Sequence, residues 1–199
     1  MPTRCTNCGA FGASPCDRCR HQLHAPVALA EGIRSALCYE GAARELVARL
    51  KYRNHRDALW FLAAAVASLV QHGEVDVVTW APTTHRHRRE RGFDHGEMLA
   101  RCVARHLRLP CRRLISRPFE DAQTGRNKAQ RATGPTLVPS SKAHGARVLV
   151  VDDVVTTGVT LANAQRVLLG AGAASVVLAT AARTPTRPCP SPTREVNFN

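Results

Sequence analysis

The chain has 199 residues, enough for one α/β domain with a sizeable core and a small appendage. Its formal charge of +13 is almost wholly arginine, since Lys51, Lys128 and Lys142 are the only lysines; guanidinium groups match phosphate geometry with paired hydrogen bonds. The longest apolar run, Ala58 to Val70, is broken by Ser68 and is shorter than the roughly 18–20 residues a bilayer requires, so no membrane span is expected.

In chain order, residues 1–26 come first, with four cysteines, small turn-formers and almost no apolar residues. Such a segment cannot build its own hydrophobic core. Cys5-x2-Cys8 and Cys16-x2-Cys19 form two knuckles that together offer four thiolates, which predicts a tetrahedral structural zinc site with no open coordination position. His21 and His24 are the alternative ligands. The start, Met1-Pro-Thr-Arg-Cys5, leads into cysteines rather than an apolar stretch, so a cytoplasmic protein with reduced cysteines is expected.

Helical periodicity follows in Ala42–Tyr52 and Ala58–Gln71, and Glu74–Trp80 reads as a strand stopped by Ala81-Pro82. His95–Leu109 reads as a helix with Met98, Leu99, Cys102, Val103 and Leu107 on one face. Between His85 and Arg131, twelve arginines and Lys128 face five acids, a local excess of +8. That excess reads as an anion-binding rim. Arg113–Ile115 suggests a short strand, and residues 116–144 form a polar excursion or flap. Regularity resumes with the strand Val148–Val151, a helix over Thr160–Leu169 stopped at Gly170-Ala-Gly172, and the strand Ser175–Ala181. The expected domains are therefore a cysteine module at 1–26, an α/β domain at 31–184 and a disordered tail at 185–199.

The strand–helix–strand order, with a near-continuous apolar strand, predicts a parallel sheet buried on both faces, with ligands at its carboxyl edge. Asp152 and Asp153 stand at that edge, followed by Val154, Val155, Thr156, Thr157, Gly158 and Thr160 before the helix. Two carboxylates at a buried strand end are costly unless they hold something. Their neighbours supply successive N–H groups and three hydroxyls at the positive end of a helix, a cradle for a sugar phosphate. The Walker pattern and the three spaced glycines of a dinucleotide fingerprint are both missing here.

The segment Val148-Leu-Val-Val-Asp-Asp-Val-Val-Thr-Thr-Gly-Val-Thr160 resembles the binding motif for phosphoribosyl pyrophosphate of type I phosphoribosyltransferases. The chain resembles the ComF family of competence-associated proteins over nearly its whole length. The cysteine quartet, Leu50-Lys51-Tyr52, Trp80-Ala-Pro82, Arg91-Gly-Phe-Asp94, Glu97, Leu99-Ala100, Gln123 and Arg131 occur in that family's order. The turn departs from it, reading Trp-Ala-Pro where Pro-Val-Pro is commoner.

The resemblance implies a type I phosphoribosyltransferase fold with a small zinc-ribbon-like module. It implies Asp152 and Asp153 on the ribose hydroxyls, and the loop through Thr160, with Val154 and Val155, around the 5′-phosphate. Ala81 and Pro82 would meet a pyrophosphate bridged by Mg²⁺, with a cis peptide at that turn one option. Arg89 and Arg91 would neutralise the leaving pyrophosphate, and Arg86 and Arg88 are further cations of that loop.

Two functions follow as expectations. One is phosphoribosyl transfer from phosphoribosyl pyrophosphate, or a related ribose phosphate, to an unidentified nitrogen acceptor. The other is a DNA-uptake role binding single-stranded DNA beside partners in that process, with the pocket used for sensing or vestigial. Only Phe93 and Phe119 interleave the basic stretch, which weakens base stacking.

Overall fold

The computed structural model describes residues 4–26, 32–50, 56–82, 94–118 and 136–185. Its centre is a four-stranded, all-parallel sheet in the order β1 (Ile33–Cys38), β6 (Ser175–Arg183), β5 (Arg147–Val155), β2 (Val77–Trp80). Beyond β2, Val78 bridges Cys111 in parallel, with Val78 N–H donating to Pro110 O and Arg112 N–H to Val78 O. The sheet thus gains a short fifth rung on that side.

The reason for the parallel arrangement lies in β5. Leu149 and Val151 enter one apolar cluster, while Val148 and Val150 enter the other, and all four are fully buried. A strand apolar on both faces needs a layer on each side. On one face lie α2 (Gly41–Arg49), α3 (Arg56–Ala67) and α4 (His95–Leu107), contributing Leu46, Leu62 and Leu99. On the other lies α5 (Val159–Gly170), with Leu161, Ala164 and Leu168 spaced along one stripe. The stop for α5 is Gly172, at φ +86°, whose N–H donates to Leu169 O.

The expected elements are present with shifted bounds. The strand expected to end at Val151 continues to Val155, because β6 pairs with it that far, and β6 itself runs to Arg183. The excursion after residue 116 begins and ends in order: β3 (Ile115–Ser116) pairs antiparallel with β4 (Val138–Pro139). Strand β1 was not anticipated. The cysteine segment, with its short helix α1 (Asp17–Arg20), is tied to the body by Leu23, which is buried in the larger apolar cluster. The expected tail beyond Pro185 lies outside the described residues.

No helix among the described residues is long and apolar enough to cross a membrane. The expectation of wholly reduced cysteines needs one correction. Cys38, at the end of β1, is disulfide-bonded, whereas Cys5, Cys8, Cys16, Cys19, Cys102 and Cys111 are free.

Candidate functional site

Register places the acidic pair. Strand β2 ends with Trp80 opposite Val151, and Ala81 N–H donates to Val151 O at 3.1 Å. The next residue on β5 is Asp152, which therefore projects past the end of β2 while still pairing with Thr180 of β6. This step in the carboxyl edge leaves the Ala81-Pro82 turn next to the start of the acidic pair in the sheet register. Asp152 and Asp153 are each half-buried. Each accepts from the next backbone N–H, Asp153 N to Asp152 Oδ1 at 2.9 Å and Val154 N to Asp153 Oδ1 at 2.7 Å. None of the ion pairs among the described residues involves either carboxylate.

Desolvation pushes the Asp152 carboxyl well above the usual carboxylate range, and the adjacent Asp153 charge pushes it further. Asp94 adds to the same effect. Sequence reasoning assigned no role to Asp94, which is 6 % exposed and caps α4 by accepting Glu97 N–H at 3.3 Å. Its neighbour Gly96 lets α4 sit close to the turn. A Cβ there would lie 3.3 Å from Asp94 Oδ1 and 3.4 Å from Ala81 O. The signal was present as Asp94-x-x-Glu97 before an apolar stripe, a capping pattern whose place beside Asp152 only the fold reveals.

After Val155 the chain turns at Thr156 and Thr157, both exposed, and Gly158, which is buried. Gly158 has φ +74°, a left-handed conformation that residues with a Cβ rarely adopt. It is the N-cap of α5, and no side chain caps that helix. The first-turn N–H groups are therefore left to a ligand or to water, at the positive end of a 12-residue helix. Val155 serves by its backbone at most: its side chain is buried and its carbonyl accepts Thr184 N–H.

At the turn, the cis peptide among the described residues is Ser14–Pro15, not Ala81–Pro82. Trp80 is 3 % exposed, and its indole N–H has no hydrogen-bond partner. Arg86, Arg88, Arg89, Arg91, Gln123 and Arg131 lie outside the described residues, as do Lys51 and Tyr52.

The four cysteines of the amino-terminal segment converge, with their sulfurs within 4.8 Å of one another. Cys5 and Cys19 sulfurs are 3.8 Å apart and those of Cys8 and Cys16 3.6 Å. A zinc–sulfur bond of about 2.3 Å gives a tetrahedron edge of about 3.8 Å, so this donor set fits a zinc ion. Burial raises the Cys5 thiol, but N–H groups of Cys8, Cys16 and Asn7 outweigh it and bring it down to about 6. Cys19 is pushed up to about 12, chiefly by burial. His21 and His24 are not part of the cluster.

Comparison with known proteins identifies the family and the fold. The family model described as phosphoribosyl transferase domain matches residues 94–196. Competence protein ComFC of Bacillus subtilis (strain 168) is 28% identical over 149 residues, covering 72% of this chain. The match covers 60% of that relative's length. Among solved structures, glutamine phosphoribosylpyrophosphate amidotransferase from B. subtilis, complexed with ADP and GMP, superposes with a TM-score of 0.51 at 20% identity. That match covers 72% of this chain and 32% of the other. A structure described as the allosteric regulatory enzyme of purine biosynthesis gives the same score and identity, covering 72% of this chain and 31% of its own. At that identity the likeness concerns the fold alone.

Proposed function

We propose, from the premise that this chain belongs to the phosphoribosyl transferase domain family and within it to the ComF type, that it binds phosphoribosyl pyrophosphate and transfers its phosphoribosyl group to a nitrogen acceptor. The observation that carries this reading is the uncapped start of α5 behind left-handed Gly158, one turn beyond two carboxylates that join no ion pair among the described residues.

In this reading Asp152 and Asp153 accept hydrogen bonds from the ribose hydroxyls. Thr156, Thr157, Gly158 and Thr160 enclose the 5′-phosphate, while Ala81 and Pro82 flank the pyrophosphate. Carboxylates and substrate phosphates are the ligands Mg²⁺ prefers, and when bound it would neutralise charge on the departing pyrophosphate. Arg89 and Arg91 are assigned to the same charge as it develops. As pyrophosphate leaves, positive charge grows on the sugar ring, and the acidic pair stabilises it beside the incoming nitrogen. Zinc in the cysteine cluster is structural, since four thiolates leave no position for substrate. The division into 1–26, 31–184 and a disordered 185–199 belongs to this reading, as does a cytoplasmic location.

Calorimetric titration with phosphoribosyl pyrophosphate and Mg²⁺ tests the pocket, and pyrophosphate release across nucleobases and ammonia tests turnover. Binding by the wild type that is lost in Asp153→Ala supports the pocket; no binding overturns it. Binding without release for any acceptor removes the transferase and leaves a sensing role.

A second reading, single-stranded DNA handling during uptake, is favoured by the +13 charge and by the competence relative. Its mark is salt-sensitive oligonucleotide binding that persists in Asp153→Ala.

A further inference from the structure

Asn7 lies between the two knuckles' sulfurs and the body of the protein. Its backbone N–H donates to Cys5 Sγ at 3.4 Å, and its side-chain Nδ2 donates to Cys19 Sγ at 3.4 Å. One residue thus touches a sulfur of each knuckle. Its carbonyl faces the other way and accepts from Arg49 Nη2 at 3.0 Å. Arg49 is the last residue of α2, a helix that buries Leu46 and Val47 in the larger core. The Asn7 amide orientation follows from its partners, because an amide oxygen turned toward sulfur acceptors would repel them.

The same segment grips the body at further points. Leu23 is 3 % exposed inside the core cluster that holds α2 and α3. His24 O accepts Cys38 N–H at 2.7 Å, fastening the segment to the end of β1. The Arg20 guanidinium stands 6.0 Å from the Phe61 ring centroid on α3. Asn7 Oδ1 and Arg49 Nε are both buried without partners.

We propose that Asn7 and Arg49 couple zinc occupancy of the four-cysteine cluster to the carboxyl-terminal end of α2, making the metal site a control on the body rather than a separate module. This rests on the reading that the cluster holds zinc. Metal binding fixes the sulfurs that Asn7 bonds, and a fixed Asn7 carbonyl holds Arg49. Linkage is reciprocal: if zinc steadies α2, then Arg49, which is no ligand, must tighten zinc.

The test uses the full chain, zinc-loaded and chelator-stripped. Zinc affinity comes from competition with a chromophoric chelator, and α2 order comes from amide hydrogen exchange of its peptide. Zinc removal is expected to speed exchange in α2, and Asn7→Ala to lower zinc affinity about 10–100-fold, the range for residues that orient metal ligands. Arg49→Gln, which removes the bond to the Asn7 backbone carbonyl that Asn7→Ala keeps, should lower it several-fold as well. If the wild type takes no zinc, the metal reading falls and the coupling with it. If zinc binds but α2 exchange is unchanged, or the Arg49→Gln and wild-type affinities coincide, the coupling is overturned and the zinc site stands. Should Asn7→Ala fail to fold, Arg49→Gln decides alone.

Discussion

Asp152 is the residue where stability and function pull in opposite directions. Its folded pKa is raised, mainly by desolvation and then by Asp153, above an unfolded value of about 3.9. The folded chain therefore binds more protons than the unfolded chain in that window. The stability this group contributes is fully present below pH about 4 and is lost as pH rises through the folded value. Ionising Asp152 therefore costs the folded chain stability, which a ligand hydroxyl bonded to the carboxylate would offset. Asp152→Asn removes the charge and keeps the shape. It is expected to raise the melting temperature by roughly 2–4 °C at pH 7.5, with the gain gone near pH 4, while weakening phosphoribosyl pyrophosphate at least tenfold. Scanning calorimetry at the two pH values checks the first part; an unchanged or lower melting temperature at pH 7.5 sinks it. Much of this site was legible beforehand, since paired aspartates ahead of Thr-Thr-Gly have few structural explanations. Asp94 was not, because it comes beside Asp152, 58 residues further along the chain, only through α4 docking over Trp80 and Ala81.

At the scale of elements, legibility tracked whether a segment's polar groups are satisfied locally. Strand β5 was readable from its own residues, except for its end. A penalty on buried carboxylates argued for stopping at Val151, but pairing with β6 carries it four residues further. Strand β1 was missed because Arg34 and Ser35 interrupt its apolar run. Arg34 is satisfied by Glu74 and Leu69 O, and Ser35 by Thr180 at 2.8 Å, all distant in sequence. The turn between β5 and α5 is the opposite case, since Gly158 announced it. Its φ of +74° makes Gly158→Ala cost about 1–2 kcal/mol. The same change should rotate the first-turn N–H groups and weaken the phosphate ligand more than tenfold. Equilibrium denaturation with parallel titration separates the effects: lost stability with unaltered affinity leaves the turn a structural device and no cradle.

At the scale of the whole molecule, composition suggested a polar cysteine module set apart from the α/β body. The structure keeps the cysteine cluster and joins it to the body. A lone Leu23 among polar residues has no periodicity to betray its destination, so its burial in the core shared by α2 and α3 was not readable. This bears on how the chain unfolds. A separable module would melt on its own, and damage to it would leave the body's transition in place. A module that contributes Leu23 to the main core and binds β1 through His24 shares that transition. Leu23→Ala is therefore expected to cost about 2–4 kcal/mol. The zinc-loaded chain should show one calorimetric transition, shifted down by roughly 4–16 °C at 2–4 °C per kcal/mol for a protein of this length. Two transitions, with the larger one unmoved, would restore the separable module. The single-transition outcome also constrains any study of DNA binding, because a chain cut after Pro26 would lose Leu23 from its core. A loss of binding in that truncation would then report destabilisation of the body as much as removal of a contact surface.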